Sequence, residues 1–393
     1  MNYRKLFSEH KIVRDLSLVQ FIAYFGAWFS NVAIYTMLVE FGSTEMAISM
    51  VTAMHFLPAI LIAPFSGAII DRVKIKPLMI TLLCTELLMT LLFLTINDKS
   101  QIWFLMILIF IRMSAASMFF STEMSLLAKL LNGKPLQMAN EIHSIIWSFT
   151  YAVGMALSGF IVNSFGFKTA FILDAFVFTV ALIVFIRIDF VVKASITSDK
   201  ILELIKDGFV YIKNNKIMLH LIFLHSCVGL TSFDALITIL AKNEYKYIIS
   251  VPLAIGLSNA VRAVALMIGP VIISKYVTKE NLHYLMIFQG ITIIFWGLTQ
   301  SSFYISLISL FFVGLSTATL WSFTYALIQN KCDEKYIGRV ISYNDMFFML
   351  SCVATTLFVG LMASLTSTDI ITILLGIGFL AFAFYYTRIL KWI

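Results

Sequence analysis

Twelve stretches of this sequence are each long and apolar enough to cross a bilayer, and that count leaves few folds open. A helix rises 1.5 Å per residue, so crossing about 30 Å of hydrocarbon takes roughly 20 residues. Runs of this kind lie near 16–41, 46–70, 77–96, 102–130, 138–163 and 169–188, then near 217–241, 250–275, 282–299, 303–328, 340–364 and 369–388. In hydrocarbon every backbone N–H and C=O needs a partner within the protein, so each run is expected to be an α-helix. Only 12% of the 393 residues are charged and 60% are hydrophobic, where a soluble domain carries about 25% charged residues. The solvent for this chain is lipid. Arg4, Lys5, Lys11 and Arg14 lead into the first run without a small-residue cleavage site, so that run is expected to stay as a helix.

The six-plus-six grouping of the runs predicts an N-terminal bundle over 1–188, a linker over 189–216 and a C-terminal bundle over 217–393. With the amino terminus inside, 22 of the 28 Lys and Arg residues fall on the inner side, four (Lys99, Lys168, Lys242, Lys246) on the outer side, and Arg112 and Arg262 within helices. That asymmetry places both termini in the cytoplasm. It also accounts for the net charge of +7, because the basic residues sit between spans and form no face for nucleic acid. Cys84, Cys227, Cys332 and Cys352 have no CxxC spacing, so neither a disulfide framework nor a zinc site is expected.

In the linker, Ser198-Asp199 reads as an N-cap, followed by Ile201, Ile205, Phe209 and Ile212 on one helical stripe. This predicts an amphipathic helix on the inner membrane surface. The halves echo one another: Gly67 ends the second run and Gly269-Pro270 sits in the eighth, while Lys134-Pro135-Leu136-Gln137 and Lys335-Tyr336-Ile337-Gly338 follow the fourth and tenth. Echoed six-helix halves are the mark of a repeat-built secondary transporter.

The turn between the second and third runs contains Gly67, Asp71, Arg72 and Lys76. In these positions it resembles the major facilitator superfamily, whose loop between helices 2 and 3 reads G-x-x-x-D-R-x-G-R-R/K. Lys74 and Ile75 depart from that pattern. The resemblance extends over the whole chain and implies an all-α polytopic membrane protein, with twelve transmembrane helices in two pseudo-symmetric six-helix bundles. Gly26-Ala27-Trp28, Leu57-Pro58, Phe119-Phe120-Ser121, Asp333-Glu334 and Gly338-Arg339-Val340 are similar to short signatures of one branch of it. That branch holds drug exporters, including macrolide efflux proteins and the enterobactin exporter. Ala27 stands where many of those relatives carry an aspartate, and Gly154-Met155 stands where they have Gly-Pro, with Gly159 retained.

For Asp71, a carboxylate at a helix end can accept hydrogen bonds from the amino end of a facing helix. The resemblance implies that the partner is helix 11, starting near Val340, and that Gly67, Asp71, Arg72 and Lys76 form a gating loop. Charges deep in a span cost at least roughly 2.5–3.5 kcal/mol unless paired or wetted. Arg112 lies near the midplane of helix 4, and Glu86 is similarly deep in helix 3, so an ion pair between them is expected. Asp234 and Arg262 form a possible counterpart in the second half, and His225 on helix 7 can exchange protons near neutral pH. Asp174 is expected near the outer surface, solvated or capping a helix. The resemblance makes helices 1, 4, 7 and 10 the cavity lining. On those helices Trp28, Asn31, Tyr35, Met113, Ser117, Ser232, Trp321, Tyr325 and Gln329 recur at helical spacings. Aromatic and methionine walls suit a bulky, mostly apolar substrate.

No Walker loop, catalytic triad or metal-ligand spacing is present, so neither an enzyme nor a cofactor is expected. The reading is a secondary active exporter of a drug-like or siderophore-like amphipathic molecule, driven by a proton or another coupling ion. A monomer in a bacterial-type cytoplasmic (inner) membrane is expected. A lysophospholipid or lipid flippase, with Arg112 or Arg262 on the phosphate, and an importer of a polar nutrient remain open alternatives.

Overall fold

The computed structural model describes residues 3–190 and 201–392, without the side chains of residues 63, 64, 66–68, 71, 201–205 and 334. Among the described residues there are α-helices and short 3-10 turns but no strands. The first half contains α1 (Tyr3–Glu9), α2 (Lys11–Glu40), α3 (Glu45–Arg72), α4 (Ile75–Phe93), α5 (Ile102–Leu130), α6 (Gly133–Phe165) and α7 (Phe167–Ile186). Helix α8 (Ile201–Asn214) leads into the second half: α9 (Lys216–Ser226), α10 (Asp234–Asn243), α11 (Val251–Ile273), α12 (Leu282–Thr299), α13 (Phe303–Lys331), α14 (Ile337–Met362) and α15 (Thr368–Ile389). Twelve helical segments are long and apolar enough to span a membrane, α9 and α10 together making the seventh. An even number of crossings puts the start of α2 and the end of α15 on one face, the terminal face, with the distal face opposite.

The seventh span is where the structure departs from one continuous helix over 217–241. It breaks into α9 and α10 around a 3-10 segment, Cys227–Thr231. A Cβ on Gly229 would stand 2.6 Å from Ser351 Cβ on α14, so the backbone itself is the contact surface there. A break in hydrocarbon frees carbonyls that need donors. Arg262 of α11 supplies one, its guanidinium donating to the Thr231 carbonyl at 2.7 Å. Asp234 then opens α10, and a carboxylate in a first turn favours the positive end of the helix.

Helix α2 packs on α6 and α7, and α5 on α3 and α4; in the second half α12 packs on α15 and α13, and α11 on α13. The two bundles meet along α6 with α11 and α3 with α14. At the first contact Gly159 and Gly256 face each other: a Cβ on Gly256 would lie 2.7 Å from the Met155 carbonyl oxygen and 2.9 Å from Gly159 Cα. Without a hydrophobic effect between helices in lipid, such close approach is what holds spans together.

The predicted N-cap at Ser198-Asp199 lies outside the described residues, as do the side chains of Ile201 and Ile205. Of the remaining stripe, Ile212 is buried and Phe209 is exposed. Helix α8 docks on the start of α14, with Asp207 Oδ2 3.9 Å from Arg339 Nη1 and Tyr211 stacked on Tyr336 at 4.3 Å.

Adding one methyl at the bundle contact should cost about 1–3 kcal/mol. Gly256→Ala is therefore expected to lower the melting temperature of the detergent-solubilised protein. Gly338→Ala, with nothing among the described residues within 4 Å of its Cβ, should leave that temperature unchanged or slightly raised in the same fluorescence-monitored unfolding assay.

Candidate functional site

Arg112 is 6% exposed in the middle of α5, held between the rings of Phe93 and Phe178 at 5.6 and 5.4 Å. Its partner is Asp174 of α7, with Nη2 2.8 Å from Oδ2, rather than Glu86. Asp174 is also not an outer-surface residue: it is fully buried, and the Ser30 hydroxyl of α2 donates to the same Oδ2. Helix α7 begins at Phe167, which sets Asp174 seven residues, roughly 10 Å, inside its distal end. Glu86 of α4 is 6% exposed and lies within the electrostatic reach of both Arg112 and Asp174, but it forms no ion pair among the described residues. The cluster thus brings one guanidinium and two carboxyl groups together in the bilayer.

A second group lies where the halves meet. Trp28 of α2 packs on Trp147 and Tyr151 of α6, with ring centroids at 6.1 and 4.5 Å. Tyr151 donates from its hydroxyl to Oδ1 of Asn259 on α11 at 3.3 Å. Tyr35 stacks on His55 of α3 at 6.0 Å, and the field of Asp234 reaches Tyr35, His55 and Tyr151 across the interface. Asn31 has a buried Oδ1 without a hydrogen-bond partner among the described residues. Among the described residues Asp234 and Arg262 form no ion pair; the guanidinium donates from Nη2 to the Thr231 carbonyl, leaves Nε without a hydrogen-bond partner and lies 5.2 Å from the Phe233 ring.

In the second half His225 is fully buried against Trp321, Tyr325 and Phe348, with Nδ1 2.8 Å from the Thr324 hydroxyl and Nε2 unpartnered among the described residues. Trp321 and Tyr325 stack at 4.8 Å. The structure therefore brings Trp28, Tyr35 and Asp234 together at the interface, keeps Arg112 and Glu86 in a separate cluster, and leaves His225, Trp321 and Tyr325 in a third.

On the distal face the halves are bridged by Lys242 of α10, which donates to Glu45 Oε1 at 2.7 Å and to the Ser43 carbonyl at 2.8 Å. A Cβ on Gly360 would meet Ser49 at 2.5 Å, so α14 and α3 are equally close there. On the terminal face Lys76 lies 3.5 Å from Asp189, within its own half, and Arg72 is an exposed basic residue in the last turn of α3. The side chain of Asp71 and the surroundings of Gly67 lie outside the described residues, so the expected contact with α14 is not among them. No three His, Cys, Asp or Glu side chains converge on a metal position among the described residues.

His55, Tyr151, Asn259, Glu123 and His143 went unnoticed in the sequence. Glu123 carries the signal that singled out Glu86, a lone acid within an apolar run. The others are ordinary helix-packing residue types until the fold aligns them.

A twelve-span helical protein in two bundles, with charges buried at the midplane, has the architecture of a polytopic transporter. The chain matches the profile of the Major Facilitator Superfamily over residues 16–356 and belongs to that superfamily. It is 25% identical over 222 residues to an uncharacterized MFS-type transporter, YfiS of Bacillus subtilis (strain 168). That match covers 55% of this chain and spans about half, 52%, of the relative. The fold is similar to that of the nucleoside transporter NupG, with TM-score 0.76 and 11% identity over 96% of this chain and 99% of that one. The human organic anion transporter MFSD10 (TETRAN) gives 0.69 and 11% over 95% and 99%. A POT family transporter in complex with a thioalcohol conjugated peptide gives 0.70 and 12% over 95% of both chains.

Removing one partner of a buried ion pair strands the other charge, at a cost of about 3–5 kcal/mol. Asp174→Ala should therefore lower the thermal unfolding midpoint sharply, and Arg112→Leu combined with Asp174→Ala should recover most of the loss. An unchanged midpoint in the single variant would mean that Arg112 is hydrated rather than paired.

Proposed function

We propose that this protein is a secondary active exporter of a bulky amphipathic small molecule, working by alternating access and driven by protons. The observation that carries the reading is the placement of the contacts between halves. The Lys242 bridge, the Gly360 contact and the Gly159–Gly256 contact all fall on the distal side of the midplane. On the terminal face the pairs resolved here, Lys76 with Asp189 and Asp207 with Arg339, stay within one half or between a half and α8. With the Lys and Arg bias setting the terminal face in the cytoplasm, this is an inward-facing arrangement. The substrate would enter between Trp28, Trp147 and Tyr151 on one wall and Trp321 and Tyr325 on the other, surfaces suited to flat or cationic apolar groups.

Coupling would fall to Glu86. Asp174 neutralises Arg112, so a second ionised carboxyl would add a net charge to the bilayer interior. Carrying a proton removes that cost, and Glu86 can release it only when the surroundings are wetted. A phosphate headgroup site at Arg112 has less support, since Asp174 already pairs with that guanidinium.

In proteoliposomes loaded with fluorescent amphipathic dyes, an imposed pH gradient should drive dye flux by the unmodified protein. Glu86→Gln should lose gradient-driven flux by at least about tenfold, which is roughly 1.4 kcal/mol of coupling, while dye-for-dye exchange persists. Flux indifferent to the gradient would remove proton coupling from the reading.

A further inference from the structure

Nearer the terminal face, the first half buries a second titratable group that the Arg112 cluster does not use. Glu123 of α5 and His143 of α6 are 2% and 8% exposed, with Glu123 Oε2 4.0 Å from His143 Nδ1. Glu123 is seven residues from the end of α5 at Leu130, roughly 10 Å below the terminal face. The side-chain amide of Gln20 on α2 hydrogen-bonds His143 Nδ1, and the rings of Tyr24 and Phe120 stand 5.9 and 5.1 Å from the imidazole. Glu123 Oε2 has no hydrogen-bond partner among the described residues.

As packing this arrangement is a poor choice. A buried carboxyl oxygen without a partner costs about 1–3 kcal/mol that an apolar side chain would avoid. What the pair can do is hold one proton. A carboxylic acid beside a neutral imidazole and a carboxylate beside an imidazolium are both neutral overall, so neither is heavily penalised in lipid. Gln20 suits both states: its amide nitrogen donates to a bare Nδ1, and the turned-over amide accepts from Nδ1–H.

The titratable and charged groups on the elements packed against α5 and α6 define where such a proton can go. Tyr3 of α1 is taken by Glu141, which lies two residues before His143 and turns away from it. Tyr24 of α2 lies within electrostatic reach of both Glu123 and Glu86. Glu86 of α4 borders Arg112 and Asp174 of α7, while His55 of α3 and Arg262 of α11 belong to the interface between halves.

We propose that Glu123 and His143 form a proton-binding station at the terminal mouth of the first bundle, holding one proton between them and exchanging it with water. Only O–H and N–H bonds change. Water gives or takes the proton at His143 Nδ1 or Glu123 Oε2, and the two side chains share it. The purpose of the station rests on the exporter reading, whose coupling ion it carries; its test does not.

The full chain in liposomes, stepped between about pH 5 and about pH 9, can be followed by infrared difference spectroscopy of protonated carboxyl groups. A titrating acid band is expected, one component of which disappears in the isosteric Glu123→Gln variant. In His143→Gln that component should shift its midpoint by about one pH unit or more, as coupled sites do, and Glu141→Gln should leave it in place. An unchanged titration in Glu123→Gln or an unmoved midpoint in His143→Gln, each in a monodisperse variant, would overturn the proposal. If the band behaves as expected while no pH gradient drives flux, the station stands and proton-coupled export falls.

Discussion

Hydrocarbon offers no partner to a backbone carbonyl or to a charge, and the polar residues of this chain are arranged around that constraint. The seventh span can break between α9 and α10 because Arg262 reaches across from α11 to a carbonyl the break exposes. Arg112 can sit at mid-depth because Asp174 and two aromatic rings enclose it. The same constraint limits what Arg112 can do for a ligand. A guanidinium already committed to a protein oxygen is a poor first contact for a phosphate, and so the apolar and aromatic walls carry most of the case for the substrate class.

The two bundles share an architecture but not a chemistry. Glu86, Arg112, Glu123, His143 and Asp174 are gathered in the first bundle, whereas the second offers His225 among aromatic rings and, at its broken helix, Asp234 and Arg262. On the proposed reading the first bundle handles protons and the second contributes more of the substrate wall. The bundles must then communicate through their shared contacts. Those contacts are backbone-close at Gly159 and Gly256, which favours rolling of α6 on α11 over gradual deformation.

Most of the architecture was legible in the sequence because hydropathy in a membrane is a strong signal. The run predicted at 102–130 coincides with α5, and the one at 282–299 with α12. The break in the seventh span was not legible, since Gly229 is one glycine in an apolar run and only the approach of Ser351 gives it meaning. Arg112 and Glu86 were visible as deep charges, but their pairing was not. The partner of Arg112 comes from α7, whose start at Phe167 places Asp174 deeper than the apolar run implied. Lys242, counted in the sequence only as an outer-side charge, turns out to bridge the bundles. Sequence reports how deep a group lies along its own helix; which neighbour that helix turns toward is decided by packing.

The central claim is that the bundles rock about the midplane, with the Lys242–Glu45 bridge closing one end. Paired spin labels report it directly: one pair at Ser100 and Tyr247 on the distal face, the other at Lys134 and Tyr276 on the terminal face, all exposed positions. With Lys242→Ala in lipid nanodiscs, the account predicts that the distal distance lengthens while the terminal distance shortens. A distal distance that grows with the terminal one unmoved, or two distances that ignore the substitution, would contradict it.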